Sequence, residues 1–455
     1  MRVLLTGATG LIGQSLGREL ARRGHQLVVL ARGPIDHARR ALPFPADIWS
    51  WSHEEPVPTE ALREVEAIVH LAGEPVAEGN WTPAKKQRIR DTRVLGTRSL
   101  VKAVAQSGAS VKTFVLGSAV GFYGDAGETE CHEGSPSGED FLAQVCRDWE
   151  AELAPLKCRK VAVRTGVVLS SRGGALAKML PIYREGLGGR LGGGQSFFPW
   201  IHWLDEVGLL VWSLENTSVD GVINAVAPTP TRQLEFHNEL CRALDVRSGP
   251  PVPRLALKAA WGEMASVILA SQHVVPRRAQ ELGYQFQFTS IAAALQNLLH
   301  DLRGRTYEMF AEQWLPQKPE EIFPFFCDEK NLESLTPPFL NFSVIGKSTP
   351  EIGQGTLIDY RLSLHGLPLK WRTRIEEWAP GVKFVDTQLR GPYSLWHHTH
   401  EFEPLAGGTL MRDRVLYRLP LGFMGDWGGG WKVARDVRQI FAYRRKKVDE
   451  LMGSR

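Results

Sequence analysis

The octapeptide Thr6-Gly7-Ala8-Thr9-Gly10-Leu11-Ile12-Gly13 constrains the fold more than any other part of the chain. It follows the apolar run Val3-Leu4-Leu5, which reads as a buried strand, and precedes Ser15 to Arg23, which reads as a helix. Glycines at such a junction let the backbone turn sharply and come close to a ligand. The helix start then offers free N–H groups and the positive end of its dipole, which suit a phosphate. Strand, glycine turn and helix in this order make a dinucleotide pyrophosphate site. Gly7, Thr9, Gly10, Leu11, Ile12 and Gly13 are its expected cofactor contacts.

Further apolar strands follow at Gln26–Leu30, Ala67–Leu71, Thr113–Leu116, Val161–Val168 and Gly221–Ala225. Helical stretches lie between them, among them Thr92–Gln106 and Phe141–Leu153. This alternation predicts an α/β domain with a doubly wound parallel sheet. At the end of the second strand, where NAD enzymes place an acid for the ribose 2′-hydroxyl, the chain has Ala31-Arg32-Gly33. A carboxylate repels a 2′-phosphate, whereas a guanidinium binds it with charge-assisted hydrogen bonds. Arg32 therefore points to NADP rather than NAD.

The ordered motifs resemble those of an atypical extended short-chain dehydrogenase/reductase, near the sugar-nucleotide epimerases. Thr6–Gly13 matches that family's TGxxGxxG. His70-Leu71-Ala72-Gly73 resembles its (H/N)xAG segment, and Arg93-Val94-Leu95-Gly96-Thr97-Arg98 its NxxGTxxL helix. Gly117–Gly124 resembles SSxxVYG, and Phe198–Val207 resembles FxHxDDV. The resemblance spans about residues 1–300 and implies a Rossmann fold with a small substrate lobe, near residues 170–200 and 226–300. It also implies cofactor contacts from Leu71, Ala72, Gly73, Arg93 and Arg98.

The chain departs from that family at the chemistry. The family's Tyr-x-x-x-Lys pair lies on the helix after the serine segment, which here reads Asp140-Phe141-Leu142-Ala143-Gln144-Val145-Cys146-Arg147-Asp148-Trp149-Glu150. Phe141 with Val145, or Leu142 with Cys146, holds the two positions, and a phenyl ring carries no proton. Arg93 also stands where the family has asparagine. Ser118 and Tyr123 remain as catalytic candidates, Ser118 to bind a substrate carbonyl and Tyr123 as a displaced proton donor or a packing residue. The segment FLAQVCRDWE together with FFPWIH resembles a subgroup known as epimerase family proteins, whose substrate is undefined, and Leu255–Leu269 with Val274–Leu299 matches its carboxyl-terminal segment. Arg172–Ala175 and Gly186–Gly194 read as a mobile anion-binding lid or as plain flexible loops.

A polar, glycine-containing stretch, Asp301–Arg305, marks a boundary, and residues 305–455 read differently. A short helix, Pro319–Cys327, precedes strands at Leu357–Leu364, Leu369–Trp378, Lys383–Leu389, Trp396–Phe402 and Thr409–Leu416. Val433, Val437, Ile440, Phe441, Val448 and Leu451 then recur at helical spacing. This pattern resembles a START-like helix-grip domain, which implies an α+β fold and a cavity for a hydrophobic ligand. Trp396, His398, His400 and Phe402 share one strand face, and His397 and Thr399 take the other. With no cysteine or acid cluster beside them, the histidines are expected to line a pocket without metal. Arg444-Arg445-Lys446-Lys447 reads as a solvated helix face.

Composition excludes several classes. With 54 basic and 50 acidic residues the formal charge is +4, which makes no case for nucleic acid or membrane as partner. No apolar run approaches a membrane span, and no signal peptide is visible. Cys131, Cys146, Cys158, Cys241 and Cys327 are dispersed, as reduced thiols of a cytoplasmic protein would be. Two functions follow. One is an NADP-dependent oxidoreductase or epimerase with a rewired acid/base, acting on a small molecule. The other is a non-catalytic NADP(H)-binding, redox-sensing protein.

Overall fold

A computed structural model describes residues 1–364, 366–420 and 422–453, with side chains for all of these except residues 329–330, 364, 367 and 423–429. By its internal contacts the chain divides into two units, Met1–Ala41 with Ala46–His300, and Leu42–Pro45 with Asp301–Arg455.

In the first unit, β1 (Arg2–Thr6), β2 (Gln26–Ala31), β3 (Asp47–Ser50), β4 (Ala67–His70), β5 (Thr113–Ala119), β6 (Arg159–Thr165) and β7 (Gly221–Ala225) pair in parallel. Their order is β7-β6-β5-β4-β1-β2-β3. Strands covered on both faces must be apolar throughout; accordingly Val3, Leu4, Leu5, Val28, Ile68, Phe114 and Val161 are buried. The strand order reverses between β1 and β4, and the crevice beyond the strand carboxyl ends at such a reversal is where ligands bind.

The helices that frame this crevice are α1 (Leu11–Arg22), α2 (Pro83–Ser107), α3 (Phe141–Ala151), α4 (Gly174–Arg184) and α5 (Trp203–Glu215). Helix α2 starts earlier than its apolar pattern predicts. Thr82 accepts a hydrogen bond from the Lys85 amide, and Pro83 takes the first turn, where a missing N–H does no harm. Asp140 caps α3 in the same way through the Ala143 amide. The strand expected over Val161–Val168 breaks at Gly166. A Cβ there would lie 2.6 Å from the Pro199 carbonyl oxygen, and Val167–Leu169 leaves the main sheet to pair with Trp200–His202.

The second unit is one antiparallel sheet of β8 (Tyr307–Leu315), β9 (Ser343–Lys347), β10 (Leu357–Leu364), β11 (Leu367–Ala379), β12 (Lys383–Arg390), β13 (Leu395–Leu405) and β14 (Gly408–Arg418). They run in the order β8-β14-β13-β12-β11-β10-β9. The register slips between Arg372 and Thr373 and between Ile375 and Glu377, and such bulges bend a sheet. Helices α6 (Pro319–Cys327) and α7 (Phe423–Met452) pack on it. Val437 and Phe441 of α7 bury against Met309, Val415 and Tyr417, and Val448 joins Leu315, Phe402 and Met411. Between sheet and helices lies a cavity of about 190 Å³, lined by Leu335, Ile358, Trp371, Trp378, Phe384 and Trp396 among others. Within the basic run on α7, Lys446 is exposed as expected, but Arg444 is buried with its guanidinium reaching Asp413.

Candidate cofactor and active site

Crowding requires the glycines of the turn. Gly7 has φ +71°, and a Cβ on it would lie 2.7 Å from the Leu71 carbonyl carbon. A Cβ on Gly13 would lie 2.1 Å from the Gly7 oxygen. The turn closes with the Gly10 amide donating to the Gly7 oxygen at 3.0 Å. Gly10 has no side chain with which to cap α1, so the amides of its first turn, around Leu11 and Ile12, face outward beside exposed Thr9. Thr6 Oγ1 accepts from the Ala72 amide and lies 2.6 Å from His70 Nδ1, which ties β1 to the loop after β4. Burial holds the His70 ring neutral, its pKa lowered to about 3.

Arg32 follows β2 directly and is exposed. Leu71 and Ala72 press on the glycine turn. Gly73 lies against the Arg93 guanidinium, which donates to the carbonyls of Glu74 and Ile89 and lies over the Trp149 ring. Arg93 thus ties Glu74, just past the Leu71–Gly73 loop, to its own helix at Ile89. The Arg98 guanidinium is held bidentately by Glu152, at 3.0 and 2.6 Å. At the opposite side of the turn, a Cβ on Gly173 would meet the Leu11 side chain at 3.2 Å, so the start of α4 packs against the start of α1.

A polar row crosses three strands. Parallel register sets Ser118 of β5 beside Arg164 of β6, and Arg164 beside Asn224 of β7. Glu150 from α3 reaches this row. Ser118 Oγ donates to it at 2.6 Å, and Arg164 grips both its carboxylate oxygens at 2.9 and 2.7 Å. Arg164 also donates to Tyr123 Oη at 3.0 Å, and the tyrosine donates to Asn224 Oδ1 at 2.7 Å. Tyr123 is 3% exposed, and burial pushes its hydroxyl up to about 12. Its proton is given to Asn224 within this network, as the packing alternative for Tyr123 has it. Sequence reading missed Glu150 and Arg164; the available signal was one arginine inside the apolar strand Val161–Val168.

Helix α3 offers no acid or base at the expected positions. Phe141 packs edge-on to Trp81 with the Lys86 ammonium 4.6 Å over its ring, and Leu142 faces Gly121. Val145 is buried, and burial pushes the Cys146 thiol up to about 12, so it carries no thiolate near neutral pH. The Phe198–Val207 segment does structural work. Asp205 accepts from the amides of Gln287 and Phe288, and His202 stacks on Phe288. Glu206 is fully buried, takes a hydrogen bond from Thr165 at 2.8 Å, and has its pKa raised to about 8.

A parallel sheet with this strand order, an open glycine turn at the reversal and a serine at the end of β5 define a Rossmann-type dinucleotide-binding protein of the short-chain dehydrogenase/reductase kind. The sequence profile of the NAD dependent epimerase/dehydratase family matches residues 3–225, and a domain of unknown function, DUF1731, matches residues 252–298. The chloroplastic SDR39U1 homolog of Arabidopsis thaliana, an epimerase family protein, is 40% identical over 306 residues, covering 66% of this chain and 87% of its own. A crystal structure of human epimerase family protein SDR39U1 with NADPH matches at 34% identity and a TM-score of 0.60, over 66% of this chain and 99% of the human one. UDP-glucose 4-epimerase from Thermotoga maritima, at 18% identity and TM-score 0.53, shares the fold. The chain belongs to the NAD-dependent epimerase/dehydratase family. Among the described residues no helix is long and apolar enough to cross a membrane.

Proposed function

We propose that the first unit is an NADP(H)-dependent oxidoreductase or epimerase acting on a small molecule such as a nucleoside-diphosphate sugar. The observation that carries this reading is the glycine turn: crowding fixes Gly7 and Gly13, while the α1 amides stay free for a pyrophosphate. The human relative solved with NADPH supports the same cofactor. Gly7, Thr9, Gly10, Leu11, Ile12 and Gly13 would hold the phosphates, Leu71–Gly73 the ribose side, and Arg32 the 2′-phosphate. Bound there, NADPH supplies a hydride donor.

The acid/base work falls to Ser118 with Glu150 in place of the missing tyrosine and lysine. Ser118 is as buried as Tyr123, but it donates to a carboxylate, so it would accept a proton from a substrate hydroxyl as its own passes to Glu150. Arg164 holds Glu150 in place and is itself held by Tyr123. The segments near residues 170–200 and 226–300 form the substrate lobe. The second unit is a START-like helix-grip domain whose cavity takes a hydrophobic ligand. Five free cysteines fit a reducing compartment such as the cytoplasm.

Calorimetric titration tests the cofactor. NADPH binds about ten- to a hundredfold more tightly than NADH, the worth of a charge-assisted hydrogen bond, and Arg32→Ala narrows the gap. Equal affinities in the wild type refute it. Oxidation of bound NADPH by a panel of carbonyl and sugar-nucleotide compounds tests the chemistry. Ser118→Ala slows it by roughly 10²–10⁴, with NADPH affinity unchanged. The filled positions Phe141 and Val145 favour a second reading, an NADP(H) sensor without turnover, and no oxidation across the panel would establish that reading instead.

A further inference from the structure

The second unit holds a cluster of titratable side chains that nothing above uses. Strand register builds it. Asp386 of β12 lies opposite His398 of β13, and His400 of β13 lies opposite Asp413 of β14. Residues two apart on a strand share a face, so both histidines and both acids meet on the face toward α7, where Arg444 joins them. His398, His400, Asp413 and Arg444 are all buried.

The distances divide the cluster into two halves. Asp413 Oδ1 lies 3.1 Å from His398 Nε2 and 2.8 Å from His400 Nδ1, and Asp413 Oδ2 lies 3.3 Å from Arg444 Nε. The other ring nitrogens, His398 Nδ1 and His400 Nε2, lie 3.5 and 3.3 Å from Asp386 Oδ1. Two neutral imidazoles carry one N–H each, against four nitrogen–carboxylate approaches. Arg444 Nη2 lies 3.4 Å from His400 Nδ1, and a guanidinium only donates, so without a metal the His400 proton sits on Nε2 toward Asp386. Four approaches still exceed two protons, and a cation beside Asp386 would take the place of the proton there while both rings turn their N–H groups to Asp413.

The geometry fits such a cation. Metal bonds of ~2.0–2.1 Å in a tetrahedron separate ligand atoms by roughly 3.3–3.4 Å, close to the 3.3 and 3.5 Å found. Asp413 supplies what a metal-binding histidine needs on its far nitrogen, a carboxylate that fixes tautomer and ring orientation. Arg444 balances its charge. The ligand atoms of Asp386, His398 and His400 all lie within 4.8 Å of one another, and all three residues line the apolar cavity. We propose that Asp386, His398 and His400 bind one divalent transition-metal ion of the zinc class, with its fourth coordination position open to the cavity and Asp413 positioning both rings. The acid that the histidine strand lacks comes from the neighbouring strand, which spacing within one strand does not reveal.

The test uses the full chain after chelation. Zn²⁺ is titrated calorimetrically, with Mg²⁺ as the hard-cation control, and Co²⁺ is followed by its visible d–d bands. One Zn²⁺ per chain, no Mg²⁺ binding and tetrahedral Co²⁺ bands with nitrogen and oxygen ligands are expected. Asp386→Asn and His398→Gln each weaken Zn²⁺ at least tenfold, and Asp413→Asn weakens it about 10–100-fold, the usual effect of an outer carboxylate. Circular dichroism checks that each variant is folded, and the wild-type Co²⁺ spectrum stands without them. Absence of stoichiometric Zn²⁺ binding, or unchanged binding in folded Asp386→Asn and His398→Gln, overturns the proposal and leaves an internal ion network in which one ring holds an extra proton. Thiolate charge-transfer bands with Co²⁺ would place the ion on Cys327, which also lines the cavity, and overturn it equally.

Discussion

Arg164 illustrates what a single side chain carries here. Its side chain is 4% exposed and Glu150 is 13% exposed, so the pair is largely shielded from solvent. Removing one partner of a buried ion pair strands the other. Arg164→Met is expected to lower stability by about 3–5 kcal/mol in denaturant unfolding, and adding Glu150→Leu should restore much of it. Glu206 gives a pH signature. Burial raises its folded pKa to about 8, against 4.5 for an ordinary glutamate. The folded state therefore holds this proton more tightly than the unfolded state. Its stabilising effect is full below about pH 4.5 and is lost as pH rises through 8. The melting temperature of the wild type should fall over that window relative to Glu206→Gln, and parallel curves would reject a buried neutral Glu206. Gly7 and Gly13 were legible because crowding at a turn leaves a local mark in the sequence. Glu150 and Arg164 were not, since their pairing depends on a helix meeting a neighbouring strand.

At the scale of elements, the apolar runs located the inner strands of both sheets. The misses have physical causes. Thr82 and Pro83 start α2 well before its apolar face begins. Gly166 divides one apolar run between two sheets. The edge strands β8 and β9 sit at the ends of the second sheet, where one flank needs no apolar cover. The α1 junction yields a graded test. A Cβ at Gly13 lies 2.1 Å from the Gly7 oxygen, whereas one at Gly10 lies 3.3 Å from the same atom. Gly13→Ala should therefore destabilise by about 1–3 kcal/mol, as overpacking does, and abolish NADPH binding. Gly10→Ala should melt close to the wild type. Thermal melts and NADPH titrations of the two variants would show whether backbone crowding sets the order.

For the whole molecule, the shift from alternating helices and strands to antiparallel strands near Asp301 was visible because the two patterns have different periods. The cluster at Asp386 and Asp413 was not, because it needs three strands and a helix together. Each unit has its own buried apolar clusters. A fragment from residue 305 onward is expected to fold alone with a sheet-type circular dichroism spectrum, and a 1–300 fragment to keep NADPH binding. Aggregation of the shorter fragment would mean that the units cannot fold apart. The lining of the second unit's cavity has one more consequence. Trp371, Trp378 and Trp396 face the same space, and Trp371 meets Trp396 edge-on at 5.2 Å. Indole fluorescence responds to the polarity and quenching power of its neighbours, so a ligand entering this cavity would change the emission of these three rings, a readout that needs no label.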